Sequence, residues 1–224
     1  MKISVVISTY NRPLLLMQTI ESLQKNTVSD LEMIVVNDAS DNPDVDKCLE
    51  KVMKMIYYKF DKRVSIGEVK NKGISLMGKS NYIHFCDDDI YYTYGWDQIL
   101  IDILKNFIDI GAVGGQRHPH HTILEHRPFQ NYEVLIMNSQ PGYSLFIRSK
   151  DLEKFTPFRS FNLETSGGED SGFCEKVLEN NLKVAAVNPP VIYHCGLKNF
   201  RGLSASDYKE IMETKSLHPE ILII

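Results

Sequence analysis

Asp87, Asp88 and Asp89 follow directly behind the apolar run Tyr82-Ile83-His84-Phe85-Cys86. A buried strand that runs into three acids is a poor way to build a core. Like charges this close repel, and each costs several kcal/mol when desolvated without a partner. A bound divalent cation removes the conflict. Hard oxygen ligands suit Mg2+ or Mn2+, which take one or two carboxylates together with substrate phosphates. In an extended chain Asp87 and Asp89 point to one side and Asp88 to the other. The other reading is a solvated acidic turn. A second pair of carboxylates, Glu169-Asp170, stands behind Gly167-Gly168 and ahead of a helical pattern. A carboxylate in reach of a substrate hydroxyl is a general base; at a helix start it also favours the dipole.

These acids need elements to hold them. Lys2 to Ser8 is a short β-branched run, read as a buried strand. Pro13 suits the first turn of a helix, and Leu14, Leu15, Met17, Ile20 and Leu23 recur at helical spacing to about Lys25. Strands are expected over Leu31–Asn37, Ile56–Phe60 and Ser80–Cys86, with helices over Val45–Met55, Ile66–Met77 and Trp96–Phe107. The alternation predicts a mostly parallel sheet with helices on both faces, an α/β fold. Beyond residue 110 the expected elements are strands at Gly111–Gly115, Tyr143–Arg148, Leu182–Val187 and Val191–His194, and helices at Ser171–Asn180 and Asp207–Lys215. His118 to His126 reads as a polar loop, and the apolar tail Ile221–Ile224 as docking on its own domain or on a second subunit.

The 224 residues, 43% hydrophobic and 24% charged, fit one packed domain. A net charge of −4 forces no nucleic-acid partner. No apolar stretch is long enough to span a bilayer, and the N-terminus enters a strand pattern without a signal peptide. Cys48, Cys86, Cys174 and Cys195 are scattered in apolar segments, as free thiols in a reducing compartment would be. A cytoplasmic location is therefore expected.

Polar residues cluster just after the first, second and fourth strands, at Thr9 to Arg12, Asp38 to Asp41 and Asp87 to Asp89. Ligands of open α/β sheets bind beyond the carboxyl ends of the strands. There is no P-loop, and no G-x-G-x-x-G follows the first strand. Without a glycine-rich cradle, a diphosphate here needs a metal.

The order of these motifs resembles the family 2 glycosyltransferases, which have the GT-A fold. The segments are Ser4-Val5-Val6-Ile7-Ser8-Thr9-Tyr10-Asn11-Arg12, Val35-Val36-Asn37-Asp38-Ala39-Ser40, Asn71-Lys72-Gly73, Phe85-Cys86-Asp87-Asp88-Asp89, Gly142-Tyr143-Ser144-Leu145-Phe146-Ile147-Arg148 and Gly168-Glu169-Asp170. The likeness covers about residues 1 to 195, and it implies a single GT-A domain over 1–224 in which about 1–110 binds the nucleotide-sugar and about 111–224 binds the acceptor and supplies the base. It implies an inverting transfer from a nucleotide-diphosphate sugar, most often a UDP-sugar, with Mn2+ or Mg2+ as cofactor. Thr9, Tyr10 and Arg12 would line the nucleotide pocket. Asp38 would accept a hydrogen bond from the base, or else cap an Asx-turn. Asn71 and Gly73 would hold the loop over the nucleotide, or mark a helix irregularity. Asp89 would ligate the metal, Asp87 would face the ribose or donor sugar, and Asp88 would be their neighbour. Asp170 would be the base, with Glu169 beside it. His194 would ligate the metal or touch the diphosphate, or be a satisfied core histidine. Lys198 and Arg201 would pair with the diphosphate or lie in a solvated loop.

Arg117-His118-Pro119-His120-His121 with His126-Arg127 reads as an acceptor-recognition loop, an ordinary exposed loop or, lacking ligand spacing, a zinc site. The chain lacks the Gln-x-x-Arg-Trp motif of processive members, so a single transfer is expected. The acceptor could be a glycan, a lipid-linked sugar, a protein or a modified nucleobase, and a homodimer is open. Rival readings are a sugar-phosphate nucleotidyltransferase, which would open on a Gly-rich basic loop rather than Thr9-Tyr10-Asn11-Arg12-Pro13, and a non-catalytic carbohydrate-binding protein of the same fold. A haloacid-type phosphatase would carry Thr where Tyr91 stands.

Overall fold

Strands built from alternating apolar residues bury both faces only when helices cover both. The computed structural model, which describes residues 1–118, 120–160 and 168–195, has that arrangement. In chain order the elements are β1 Lys2–Thr9, α1 Pro13–Asn26, β2 Asp30–Asn37, α2 Pro43–Leu49, β3 Met55–Lys59, α3 Ile66–Leu76, β4 Tyr82–Asp87, β5 Ile90–Tyr92, α4 Trp96–Asn106, β6 Ile110–Gly114, β7 Ile123–Phe129, β8 Tyr132–Met137, β9 Ser144–Arg148, α5 Leu152–Phe155, α6 Glu169–Glu179, β10 Lys183–Asn188 and β11 Ile192–His194. Nine strands form one sheet in the order β3-β2-β1-β4-β9-β6-β10-β8-β7, and β5 pairs with β11 in a small second sheet. Strands β3, β2, β1 and β4 are parallel, β9 runs against β4 and β6, and β8 runs against β10 and β7. The sheet is thus mostly parallel and passes without a break from the first half of the chain into the second.

Alternation along β1 shows how the two cores arise. Ile3, Val5 and Ile7 pack with Leu16, Ile20 and Leu23 of α1, Val45 of α2, and Leu100 and Leu104 of α4. Val6, on the opposite face, packs with Val69 of α3, Phe155 of α5, and Phe173 and Val177 of α6. At Gly73 a Cβ would lie 2.2 Å from Val6 Cγ1, so α3 rests directly on β1. Asn71, two residues earlier, exchanges two hydrogen bonds with the backbone of Phe158: its Nδ2 donates to the carbonyl at 2.9 Å, and its Oδ1 accepts from the N–H at 2.8 Å.

Several boundaries differ from expectation. The helix expected over Val45–Met55 is Pro43–Leu49, because Asn42 caps it earlier by accepting from Asp44 N–H at 3.0 Å. Lys54, with φ of +59°, then turns the chain into β3. The loop expected over His118–His126 is a strand from Ile123 onward. There β7 pairs with the unexpected β8 as the outermost strand of the sheet, where exposed charged side chains are the rule. The short β5 was also unexpected. Gly167, Gly196, Lys198, Arg201, the helix expected at 207–215 and the tail 221–224 lie outside the described residues.

His84, fully buried in β4, titrates against the fold. Its Nε2 is 3.1 Å from the Tyr92 hydroxyl, and its ring packs on Trp96 and Phe146. Burial depresses its pKa to about 3, against a smaller opposing effect of the Leu145 backbone. An imidazole in the unfolded chain protonates near 6.5. Between the two values the unfolded state holds the extra proton, so stability falls as pH drops below about 6.5. At pH 5 this group alone costs about 2 kcal/mol. Urea unfolding at pH 7.5 and 5.0 is expected to show this loss in the parent and a smaller one in His84→Gln. Equal losses in both proteins would remove His84 as the cause.

Candidate active site

Register brings the polar strand ends together. Thr9 of β1 pairs with Asn37 of β2, and Ser8 pairs with Asp87 of β4. Tyr10 to Arg12, Asp38 and Asp88-Asp89 therefore leave the sheet on one edge. Beyond β4 the chain turns into β5, which pairs antiparallel with β11, with Ile90 opposite His194. Cys195 N–H donates to Asp89 C=O at 2.6 Å. This pairing carries His194, more than a hundred residues away in sequence, to the acidic triplet.

The three acids have different partners. Asp88 is fully buried. Its Oδ2 accepts from Thr9 Oγ1 at 2.6 Å, and its other oxygen meets the Arg12 guanidinium. Burial raises its pKa, and Arg12 only partly offsets that. Asp89 Oδ2 accepts from Arg12 at 2.7 Å, and its Oδ1 lies 3.2 Å from His194 Nε2. Burial works against ionised Asp89, but His194 and Arg12 outweigh it and hold the carboxyl below its usual range. Asp87 is raised by burial, with the charge of Lys70 as the largest opposing influence. Burial likewise disfavours protonated His194, yet Asp89 and Asp87 prevail and raise its pKa.

One oxygen each of Asp87 and Asp89 and one ring nitrogen of His194 lie within 4.8 Å of one another. Asp89 Oδ1 is buried and faces the His194 ring nitrogen at 3.2 Å. The two carboxylates supply the hard oxygens that Mn2+ or Mg2+ takes, and the imidazole beside them suits the softer Mn2+ better. Asp87, expected to face the donor sugar, thus stands with Asp89 and His194. The His194 ring is fixed by stacking on Tyr143, with centroids 4.3 Å apart, and its backbone N–H donates to Gln116 Oε1 at 2.8 Å.

Asp170 sits in the first turn of α6, with Gly168 ahead of it at φ of +108°. Its Oδ2 accepts from Gly142 N–H at 3.2 Å and its Oδ1 from Ser171 N–H at 2.7 Å. Gly142 immediately precedes Tyr143. One dipeptide therefore holds Asp170 through its backbone and His194 through its ring, which puts both carboxylate centres in one site. Glu169 is buried and paired with Lys70 at 3.0 Å.

Asp38 accepts from Val64 N–H at 2.7 Å and from Arg63 Nε at 2.6 Å, and the Arg63 guanidinium lies 3.6 Å above the Tyr10 ring. Asn71 and Gly73 contact Phe158 and Val6 as described, so among the described residues they act on the scaffold around the site. His118, His120 and His121 cluster with ring centroids 5.1 to 5.2 Å from His118, and His126 pairs with Glu133 at 2.8 Å on the exposed hairpin. Sequence reading missed Arg63, Lys70 and Gln116, whose partners are remote in sequence. The one available signal was Lys70 itself, a charge on the apolar face of an otherwise amphipathic helix.

No described helix is long and apolar enough to cross a membrane. A chain from Bacillus subtilis (strain 168), named as the uncharacterized glycosyltransferase YwdF, is 34% identical over 95 residues, 42% of this chain and 35% of that one. A Campylobacter jejuni protein named GalNAc(5)-diNAcBac-PP-undecaprenol beta-1,3-glucosyltransferase is 35% identical over 91 residues, 39% of this chain and 29% of that one. This chain spans about a third of the length of these curated relatives. The crystal structure of GalNAc-T7 with UDP, GalNAc and Mn2+ superposes with a TM-score of 0.70 over 95% of this chain and 47% of that one; at 16% identity it shares the fold, GT-A. The profile described as Glycosyl transferase family 2 matches residues 4–163, from β1 through the acidic triplet and past Gly142-Tyr143, and the chain belongs to that family.

Proposed function

We propose that this domain is an inverting, metal-dependent glycosyltransferase that moves a sugar from a nucleotide-diphosphate sugar, a UDP-sugar, to an acceptor hydroxyl. The observation that carries the reading is the Gly142-Tyr143 link, which holds a carboxylate at a helix start beside the part-buried Asp87–Asp89–His194 cluster. That cluster is the fitting place for Mn2+ or Mg2+, and such an ion, when bound, neutralises charge on the leaving diphosphate. Asp89 and His194 would hold it, with Asp87 beside them. Tyr10 and Arg63 offer a stacked face for the base, and Asp38 an acceptor for its N–H. Arg12, half-exposed above Asp88 and Asp89, is placed to meet a phosphate.

Asp170 takes the proton of the acceptor hydroxyl. The freed oxygen forms its bond to the anomeric carbon as the bond from that carbon to the diphosphate oxygen breaks. The nucleoside diphosphate leaves with that electron pair, and the configuration at the carbon inverts. One carboxylate suffices, because no covalent sugar intermediate is formed. The GalNAc-T7 structure, by its title, holds UDP and Mn2+, which supports the donor and the ion. The Campylobacter relative is named for a lipid-linked acceptor, which supports a lipid-linked sugar or glycan here.

Calorimetry with UDP, a panel of UDP-sugars and Mn2+ tests this. Binding is expected with Mn2+ and to weaken at least about tenfold in EDTA. Asp89 and Asp87 raise the His194 pKa against its burial, so in the metal-free protein a proton competes with the ion for the ring nitrogen. The Mn2+ contribution should therefore grow from pH 6 to pH 8. Absence of binding by any nucleotide sugar overturns the reading.

A further inference from the structure

Lys70 lies on α3, in the half of the chain that carries the acidic triplet, and it is buried in the apolar layer beneath the sheet. Its side chain is 1% exposed and that of its partner Glu169 is 9% exposed, with 3.0 Å between Nζ and Oε1. The same Nζ donates to Gly142 C=O at 3.2 Å and faces the Phe158 ring at 5.4 Å. A buried ion pair is weak evidence for stability, since an apolar pair of similar size is often as stable. Its presence here calls for another account.

Gly142 supplies one. Its carbonyl is held by Lys70, and its N–H holds the Asp170 carboxylate. A Cβ at Gly142 would meet Lys70 Nζ at 2.6 Å, Glu169 Oε1 at 2.8 Å and Asp170 Cβ at 3.2 Å, so all three groups close on one hydrogen atom. The contacts form a ring from Lys70 to Glu169, along the chain to Asp170, through its carboxylate to Gly142 N–H, and from Gly142 C=O back to Lys70. Asn71, the next residue of α3, clamps Phe158 in parallel.

We infer that Lys70 is a positioning residue which, through Glu169 and Gly142, holds the Asp170 carboxylate in the orientation that receives the acceptor proton, so that Glu169 serves the geometry of the site rather than proton transfer. The inference rests on the base assignment above, and its test separates the two. Lys70→Met alone strands a buried carboxylate and risks misfolding, so the pair is replaced together as Lys70→Met/Glu169→Leu. This variant, Asp170→Asn, and the combination of all three changes are compared with the parent. Thermal melting and UDP–Mn2+ calorimetry report folding and donor binding. UDP release, from the UDP-sugar that binds most tightly in the panel, reports kcat and KM.

The double variant is expected to melt cooperatively, to bind UDP–Mn2+ within about threefold of the parent, and to lose about tenfold to a hundredfold in kcat with little change in donor KM. Adding the pair replacement to Asp170→Asn is expected to cause no further loss, because both act through one group. A purely structural pair would lower melting and leave kcat of the folded fraction alone. A folded double variant with parental kcat, beside an inactive Asp170→Asn, overturns the positioning role and leaves the base assignment standing. Parental turnover in Asp170→Asn overturns both.

Discussion

Asp170→Asn is expected to bind UDP–Mn2+ within about threefold of the parent and to lose about a hundredfold to ten-thousandfold in turnover, the range set by removal of a general base. Asparagine keeps the shape of the side chain and one oxygen to accept from Gly142 or Ser171, so the first turn of α6 should persist. The lost interaction with the helix dipole is worth at most about 1 kcal/mol at a half-exposed site, too little to unfold the domain. The amide cannot take a proton from an acceptor hydroxyl, so the defect should lie in kcat. The measurement is steady-state UDP release with calorimetry on the same preparation. Turnover within twofold of the parent removes Asp170 from the chemistry. Loss of UDP–Mn2+ binding would instead make it part of the donor site.

What was legible in the sequence follows from the range of the forces involved. Local periodicity marked β1, β2, β4 and the helices between them, and strand ends in an α/β sheet gather at one edge, so Thr9 to Arg12, Asp38 and Asp87 to Asp89 were identifiable as neighbours. The triplet was conspicuous because burying like charges is costly. Other contacts left no local trace. The strand ending at His194 was expected and the residue itself was named through the family resemblance, but its contact with Asp89 depends on pairing with β5, which is too short to show a period. Arg63 meets Asp38, and Lys70 meets Glu169, across separations of 25 and 99 residues. The β7–β8 hairpin was hidden for another reason. As the sheet's edge, β7 exposes Glu125 and His126 and half-exposes Arg127, so its composition is that of a loop although its backbone is paired.

Asp89→Asn is expected to abolish the gain in UDP affinity that Mn2+ provides, whereas Asp88→Asn is expected to keep most of it. The two residues are neighbours of the same type, so the contrast tests their environments. Asp88 spends its oxygens on Thr9 and Arg12, and burial pushes it toward the neutral form. Asp89 is held ionised by His194 and Arg12 despite the same burial, and one of its oxygens lies within 4.8 Å of both an Asp87 oxygen and a His194 ring nitrogen, a grouping that leaves out Asp88. A hard cation seeks that oxygen. Loss of residues that merely orient a metal ligand costs about tenfold to a hundredfold in affinity, so loss of the ligand should cost at least about a hundredfold. The stability effects should also diverge. A carboxyl with a lowered folded pKa contributes stability above its unfolded value near 3.8, and that stability fades as pH falls. Asp89→Asn should therefore melt lower than the parent at pH 7 without metal, with a gap that narrows toward pH 3. Asp88 has the opposite shift, so its ionised form works against the fold and Asp88→Asn should melt no lower than Asp89→Asn. Calorimetry of UDP in Mn2+ and in EDTA, with melting curves of the metal-free variants, reads both. If Asp88→Asn loses the Mn2+ effect and Asp89→Asn keeps it, the ion belongs to the other face of the triplet, and His194 with Tyr143 would be left stacked beside a carboxylate that does no chemistry.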